Sequence, residues 1–152
     1  MSGEESSLSL KAYAKINLGL EVLGKRPDGY HEVAMIMQSV GLHDIVKLSR
    51  REEAITLSCD RTDLPCDPSN LAYRAAALLR QEFGATPGVH IELTKRIPLA
   101  AGLAGGSTDA AAVLKGLNRL WRLALSPVEL EQLAARLGSD VPFCLWGGTS
   151  LA

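Results

Sequence analysis

The chain has 152 residues, of which 47% are hydrophobic and 22% charged, and its formal net charge is -1. This is the make-up of one ordinary globular domain, and a chain of this length buries enough surface to fold without a disulfide or a structural metal. The near-neutral charge gives no general attraction to nucleic acid, and no run of about 18 apolar residues is present to span a membrane. We therefore expect neither a nucleic-acid partner nor a membrane partner.

The cysteines point to the same kind of protein. Cys59, Cys66 and Cys144 are odd in number and lack Cys-x-x-Cys spacing, which is typical of reduced thiols and not of a disulfide framework or a zinc site. Residues 1–8 are acidic and polar, unlike a signal peptide. We expect a cytoplasmic protein without a bound metal cluster.

Strand signals dominate the first half of the chain. Apolar and polar residues alternate over residues 8–23, which predicts one long strand or two consecutive strands. Residues 25–31 contain Pro27 and the turn pair Asp28-Gly29, which predict a loop. Further strands are predicted over residues 33–40, 45–48 and 55–58, with the first two separated by a gap at residues 41–44.

Helix signals dominate the second half. A helix capped by Ser69 or Asn70 is predicted to end near residue 83, and a strand follows over residues 89–93. A second helix follows a glycine-rich segment, and a third begins at a capping box of residues 126–129 and ends near residue 138. Strands grouped first and helices later favour an α+β fold over a doubly wound sheet. Residues 147–152 predict another strand, which either leads into a further part of a longer protein or forms the edge of a complete domain.

The most informative segment is residues 97–113, which read Ile-Pro-Leu-Ala-Ala-Gly-Leu-Ala-Gly-Gly-Ser-Thr-Asp-Ala-Ala-Ala-Val. Gly102, Gly105 and Gly106 let main-chain amides approach a ligand closely, and the following helix adds the positive end of its dipole. Ser107 and Thr108 offer an N-cap and hydroxyls for a phosphate. Neither the Walker A pattern nor Gly-x-Gly-x-x-Gly fits. The segment indicates a nucleotide site, and the alternative is a flexible connection between two elements.

Three other segments of the chain carry residues that could serve in catalysis or in ligand binding. Lys15 and Asn17 lie two apart on the first predicted strand and share one face, which either is solvated or lines a site. Tyr30 and His31 follow the predicted turn, where they can stack on and hydrogen-bond a nucleobase or simply cover the edge of the core. Asp140 precedes Val-Pro-Phe at a predicted loop-to-helix junction, where it serves either as an N-cap or as a general base.

In order, Ala-Tyr-Ala-Lys15-Ile-Asn17, Pro-Asp-Gly-Tyr30-His31, the glycine-rich segment and Gly-Ser-Asp140-Val-Pro-Phe resemble the GHMP kinase superfamily over nearly the whole chain. The glycine-rich segment identifies only the superfamily. The Tyr30-His31 segment combined with Asp140-Val-Pro-Phe narrows the resemblance to members whose acceptor carries a cytidine diphosphate. The resemblance implies transfer of the γ-phosphoryl group of ATP, with Mg²⁺, to the 2-hydroxyl of a cytidine-diphosphate-linked methylerythritol in non-mevalonate isoprenoid precursor synthesis.

The same resemblance implies a fold and a set of roles. Residues 1–152 would form the superfamily's α+β amino-terminal domain, with an unusual left-handed βαβ crossover. Asp140 would be the catalytic base and Lys15 its partner. The substrate would be held at the cytosine by Tyr30 and His31, with Asn17 and Lys95 also lining the site. The ATP phosphates would be wrapped by Pro98, Leu99, Ala100, Ala101, Gly102, Leu103, Ala104, Gly105, Gly106, Ser107 and Thr108.

The superfamily also carries a carboxy-terminal domain with another glycine-rich motif, which is absent from this chain. We therefore expect the chain alone to be inactive or nearly so, and to expose apolar surface. Two other functions stay open from the sequence. One is a GHMP kinase for a sugar, homoserine or mevalonate-type alcohol, and the other is a noncatalytic RNA-binding module of similar fold, which the net charge disfavours.

Overall fold

The computed structural model describes residues 5–25, 27, 31–84, 86–99 and 102–151, with side chains for residues 5–18, 27, 36–84, 86–99 and 102–148. Two long antiparallel strands, β1 (Ser7–Lys25) and β2 (His31–Arg51), form its first unit. Of the two possibilities predicted over residues 8–23, one long strand or two consecutive strands, the structure shows one long strand. The gap predicted at residues 41–44 is wrong, because β2 continues through it with His43 and Asp44 paired to Tyr13 and Ala12 on β1.

The remaining elements complete an α+β fold, as predicted. They are, in chain order, β3 (Ile55–Cys59), α1 (Leu71–Phe83), β4 (Gly88–Thr94), α2 (Gly105–Leu120), α3 (Pro127–Leu137), α4 (Val141–Trp146) and β5 (Thr149–Leu151). The strands form one sheet in the order β1-β2-β4-β3, with β5 pairing to β2 at residues 36–38. No helix among the described residues is long and apolar enough to cross a membrane.

The sheet contains one parallel pair. Strand β3 runs parallel to β4, and α1 connects the two, whereas the other strand pairs are antiparallel. This is a βαβ unit of the kind that the resemblance implies. Its left-handed sense stays a prediction.

Helix α2 lies at the centre of the hydrophobic core. Val46 and Leu48 on β2 are completely buried while Lys47 between them is exposed, so one face of the sheet is covered by the helices. A Cβ at Gly116 of α2 would come within 2.4 Å of the Leu48 side chain, so the helix axis lies unusually close to the sheet there. This close packing holds the second half of α2 against the sheet, and the glycine-rich segment meets the opposite end of the helix.

The helix ends differ in how they are capped. Asn70 caps α1 by accepting a hydrogen bond from the Ala72 amide, and Gly84 ends that helix at φ 70°. Ser126 and Glu129 form the predicted capping box of α3. The cap predicted for α1 at Ser69 or Asn70 and the capping box predicted for α3 are both confirmed. The N-cap predicted for α2 at Ser107 or Thr108 is wrong, because α2 already begins at Gly105.

Candidate active site

The glycine-rich loop, residues 98–104, leads into α2, a helix whose N-terminus has no side-chain cap. Gly102 and Ala104 have left-handed backbone conformations, with φ 72° and 59°, which turn the chain sharply into α2. Ala104 occupies the N-cap position and has no side chain that can accept a hydrogen bond. The first amides of α2 are therefore left to a ligand or to water, and the positive end of the helix dipole lies with them.

A pocket of about 180 Å³ lies in this loop. Its walls are mainly backbone and small side chains, from Pro98, Leu99, Gly102, Leu103, Ala104, Gly105 and Gly106. Ser107 is half-buried and Thr108 is buried within the first turns of α2. Main-chain donors, small walls and a helix N-terminus together make a site suited to a phosphate group.

A second pocket, of about 170 Å³, adjoins the first and shares Leu99 and Gly106 with it. Its lining is mainly apolar, with polar side chains at Ser69, Asn70, Lys95 and Asp109. The complete lining is Leu64, Pro65, Ser69, Asn70, Leu71, Lys95, Leu99, Gly106 and Asp109. The sequence reasoning did not anticipate this pocket, since its residues come from four separate parts of the chain.

Lys15 reaches the loop because β1 is irregular. The pairing of β1 with β2 shifts register between Tyr13 and Lys15, so that Ala14 and Lys15 are both buried although they are neighbours in a strand. The Lys15 amide donates a hydrogen bond of 3.1 Å to the carbonyl of Leu103 in the glycine-rich loop. Backbone contact therefore joins the strand that carries Lys15 to the proposed phosphate site.

Asp140 faces Lys15 and does not cap its helix. It occupies the N-cap position of α4 but makes no side-chain capping bond. Its Oδ2 lies 3.9 Å from Nζ of Lys15, with 40% of the Asp140 side chain and 8% of the Lys15 side chain exposed. Of the two roles that the sequence left open for Asp140, the capping role is therefore excluded. A half-open carboxylate beside a buried ammonium can receive a proton from a substrate.

A neutral thiol lies beside this pair. Burial, and then the negative charge of Asp140, raises the pKa of Cys144 to about 11. The Cys144 side chain also interacts with the Thr108 hydroxyl at the start of α2. Cys59, Cys66 and Cys144 are all free thiols.

Lys95 lies in a buried ionic cluster. Its Nζ is 2.5 Å from Oδ2 of Asp44 and 2.6 Å from Oδ2 of Asp109, and almost nothing of the three side chains is exposed. Burial disfavours the charged ammonium, but the carboxyl groups of Asp109 and Asp44 outweigh it and raise the pKa of Lys95. The role of Lys95 in lining the substrate site stays a prediction, and its ammonium already has two acidic partners.

The two acidic members of the cluster were missed by the sequence reasoning. Asp44 fell in the gap predicted between two strands, although it shares the buried face of β2 with Val46 and Leu48 at a spacing of two. Asp109 lies in the helix predicted after the glycine-rich segment, and no site role was predicted for it. An acidic residue in an otherwise apolar, buried periodicity is the signal that would have found both.

Of the other predicted site residues, the structure describes some and leaves others outside its described ranges. Asn17 lies two residues beyond Lys15 on β1 and is exposed. Tyr30, Ala100 and Ala101 lie outside the described residues, as does the side chain of His31. The described residues contain no group of three or more His, Cys, Asp or Glu placed to hold a metal ion.

Comparison with known proteins agrees with this architecture. Residues 70–148 match the model of the GHMP kinases N terminal domain, which is more than half of the chain. The chain belongs to the GHMP kinase family. A homoserine kinase structure from Cytophaga hutchinsonii shares the fold at 22% identity, with a TM-score of 0.78 over 99% of this chain and 50% of that one.

Relatives that are more similar to this chain share a single name. The 4-diphosphocytidyl-2-C-methyl-D-erythritol kinase of Synechococcus sp. (strain JA-3-3Ab) is 64% identical over 95% of this chain and 47% of its own length. That of Brevibacillus brevis (strain 47 / JCM 6285 / NBRC 100599) is 56% identical over 95% and 50%. A crystal structure of 4-(cytidine 5'-diphospho)-2C-methyl-D-erythritol kinase aligns with a TM-score of 0.80 at 41% identity, over 95% of this chain and 51% of that one. The chain thus spans about half the length of the curated relatives it matches.

Proposed function

We propose that this chain is the amino-terminal, ATP-binding domain of a kinase that phosphorylates the 2-hydroxyl of 4-diphosphocytidyl-2-C-methyl-D-erythritol. The reaction is a step of non-mevalonate isoprenoid precursor synthesis, and we place it in the cytoplasm. The observation that carries the proposal is the Lys15–Asp140 pair beside an uncapped, glycine-rich helix N-terminus. The shared name of relatives that are 64% and 56% identical supports this substrate over a sugar, homoserine or mevalonate-type alcohol.

ATP binds through the backbone in this proposal. Main-chain amides of the loop and of the first turn of α2, within residues 98–108, hold the phosphates, because α2 begins without a side-chain cap that would occupy its first donors. The adjoining apolar pocket takes the adenine, whose flat faces pack against the side chains of Leu71 and Leu99. The two pockets share Leu99 and Gly106, so a base and a phosphate chain can occupy them together.

Asp140 receives the proton of the acceptor hydroxyl. A carboxylate is a weak base for an alcohol, but phosphoryl transfer has a loose transition state, so orientation matters more than basicity. Because Asp140 is not used as a cap, its oxygens are free to point at a substrate. Lys15 fixes the carboxylate by ion pairing and offsets the negative charge that develops on the transferring group.

Mg²⁺ belongs to the proposal as the usual partner of ATP phosphates. Mg²⁺ prefers oxygen ligands, keeps several waters and takes few ligands from the protein, so the absence of a three-residue cluster in the described part of the chain is compatible with it. The half-buried Ser107 hydroxyl near the start of α2 would supply a neutral oxygen ligand, and it and the phosphates would hold the ion. When bound, Mg²⁺ neutralises charge on the triphosphate.

The remaining roles concern the acceptor and the rest of the enzyme. Tyr30 and His31 hold the cytosine, and Asn17 lies on the acceptor side of Lys15. A carboxy-terminal GHMP domain closes the cleft in the complete enzyme, which agrees with the chain spanning about half of its relatives. The 152-residue chain on its own should therefore turn over substrate poorly or not at all.

The experiment that tests the proposal is a phosphorylation assay on the full-length protein with ATP and either the cytidylyl substrate or simple sugar and mevalonate-type alcohols. We expect turnover only with the cytidylyl substrate, and competition by CDP or CMP against it. Equal turnover of an alcohol that lacks cytidine, without competition by CDP, would show a different GHMP kinase. Absence of any ATP-dependent turnover would refute the kinase proposal.

A further inference from the structure

Three buried charged residues from distant parts of the chain meet beneath the glycine-rich loop. Asp44 comes from β2, Lys95 follows β4, and Asp109 lies in the second turn of α2. The side chains are 0%, 1% and 3% exposed, and the Lys95 ammonium contacts both carboxyl groups. Lys95 and Asp109 also border the adjoining pocket assigned to the adenine, Lys95 is predicted to line the substrate site, and none of the three takes part in the proposed proton transfer.

The cluster holds the first end of the loop. Oδ1 of Asp44 accepts hydrogen bonds from the amides of Arg96 and Ile97, at 2.7 and 2.9 Å. Those two residues immediately precede Pro98, where the loop begins. The path of the backbone into the loop is therefore set by one buried carboxylate.

The same cluster holds the last end of the loop. Asp109 belongs to α2 and binds Lys95 through Oδ2. Nζ of Lys95 lies only 3.3 Å from the position that a Cβ on Gly105 would occupy, so the ammonium packs directly under the first residue of α2. Just before α2, the Lys15 amide holds the carbonyl of Leu103. A loop with no polar side chains of its own is thus fixed at three points.

The charge of the cluster also suits a site for phosphate above it. Two carboxylates and one ammonium would leave an excess negative charge beneath the loop. Burial, and then the Asp44 carboxyl, raise the pKa of Asp109 well above its usual range, which favours its neutral form and reduces this excess charge. Oδ1 of Asp109 has no hydrogen-bonding partner among the described residues. A buried carboxylate oxygen without a partner is unfavourable, so this environment favours the protonated form of Asp109.

We propose that Asp44, Lys95 and Asp109 are positioning residues that hold the amides of the glycine-rich loop in their phosphate-binding arrangement. They act on the phosphates through the backbone, and Asp44, which borders neither of the two pockets at the loop, does so without any contact with ATP. Their loss should therefore weaken the use of ATP and leave the acceptor site intact. The inference rests on the proposed ATP-binding function of the loop, but the order it assigns to the loop is a property of the protein without ligand.

The first test measures that order directly, by hydrogen exchange at the amides of residues 102–108 in unliganded full-length protein. Lys95→Met and Asp44→Asn should speed exchange there. The control is Leu79→Ala, a completely buried core residue of α1, which destabilises the fold without touching the cluster. Exchange in the loop that is no faster in Lys95→Met than in Leu79→Ala would overturn the proposal, whatever reaction the protein catalyses.

The second test measures KM for ATP and for the cytidylyl substrate in the same proteins. Asp44→Asn should raise KM for ATP about 10- to 100-fold, because small displacements of binding groups are costly, and should change KM for the acceptor by less than about twofold. Leu79→Ala should change neither. A parallel rise in both KM values, or no rise for ATP, would show that the cluster only stabilises the fold.

A pair of variants at one position decides the matter if Asp44→Asn does not fold. Asp109→Asn imitates a protonated carboxyl group and should keep KM for ATP within about twofold, whereas Asp109→Ala removes the contact with Lys95 and should raise it about tenfold. Equal KM values for the two variants would overturn the proposal. A wild-type protein that shows the expected exchange pattern but no kinase activity would refute the kinase proposal alone.

Discussion

At the scale of single residues, the environment of an acidic side chain decides what it can do. Asp140 is half-open, faces an ammonium and leaves its helix uncapped, so its carboxylate is free for chemistry. Asp44 and Asp109 are almost completely buried, and the ammonium of Lys95 contacts both of their carboxyl groups. The sequence shows three aspartates of equal appearance, and only the tertiary contacts separate their roles.

The buried cluster makes a prediction about stability. Lys95→Met leaves Asp44 without its ammonium partner in the interior, and breaking a buried pair in this way costs about 3–5 kcal/mol. The matched control is Arg119→Met, which breaks the exposed ion pair between Arg119 and Glu5 and should cost about 1 kcal/mol or less. Urea unfolding of both variants gives the comparison. Equal losses would show that the cluster contributes no more than a surface pair.

The raised pKa of Asp109 predicts that the stability of the protein depends on pH. Its pKa is raised in the folded protein, so between its unfolded and folded pKa values the folded state holds a proton that the unfolded state has released. The stability that this group contributes is therefore lost as the pH rises above about 4. Asp44, whose pKa is lowered below its ordinary value although burial opposes this, adds no pH dependence above that point, because Asp109, the Ile97 amide and Lys95 favour its anion.

The corresponding measurement is urea unfolding of the wild type and of Asp109→Asn from pH 5 to pH 8. The unfolding free energy of the wild type should fall with rising pH relative to that of the variant, which has no proton to lose. Curves that stay parallel across this range would mean that Asp109 has an ordinary pKa in the folded protein.

At the scale of elements, the structure distinguishes a helix that is closed by its own side chains from one that is left open. α3 begins with a complete capping box, whereas α2 begins at a residue without a capping side chain. Ser126→Ala should therefore cost about 0.5–2 kcal/mol, while Ser107→Ala, which removes a hydroxyl from the interior of the first turn of α2, should cost less than about 0.5 kcal/mol. Thermal unfolding of the two variants measures this contrast. A loss at Ser107 as large as that at Ser126 would mean that Ser107 does cap α2.

The elements themselves were mostly predictable, since alternation and capping patterns are local. The strand over residues 8–23, the helix that Asn70 caps and the capping box at Ser126 could all be read from neighbouring residues. The start of α2 could not be placed, because the glycines at its first two positions are poor helix formers and the hydroxyl residues that follow them suggest a later N-cap. The continuity of β2 depends on pairing with β1 and not on its own composition.

At the scale of the whole molecule, the site is built by contacts between segments far apart in the chain. Lys15 and Asp140 come from opposite ends of the chain, and Asp44 is 51 residues from Lys95. Periodicity cannot report such contacts. The resemblance to a known family supplied the pairing of Lys15 with Asp140, and the structure brings these two residues together. Nothing in the sequence reasoning supplied the cluster beneath the loop.

The most direct test of this account is the turnover of the full-length protein carrying Asp140→Asn, with ATP and the cytidylyl substrate. We expect a loss of about 10²- to 10⁴-fold in kcat, the usual contribution of a general base, with the affinity for ATP largely kept because the loop is untouched. Ser139→Ala, an exposed neighbour, serves as the matched control and should keep full activity. An Asp140→Asn enzyme with wild-type turnover would remove Asp140 from the mechanism and contradict the account.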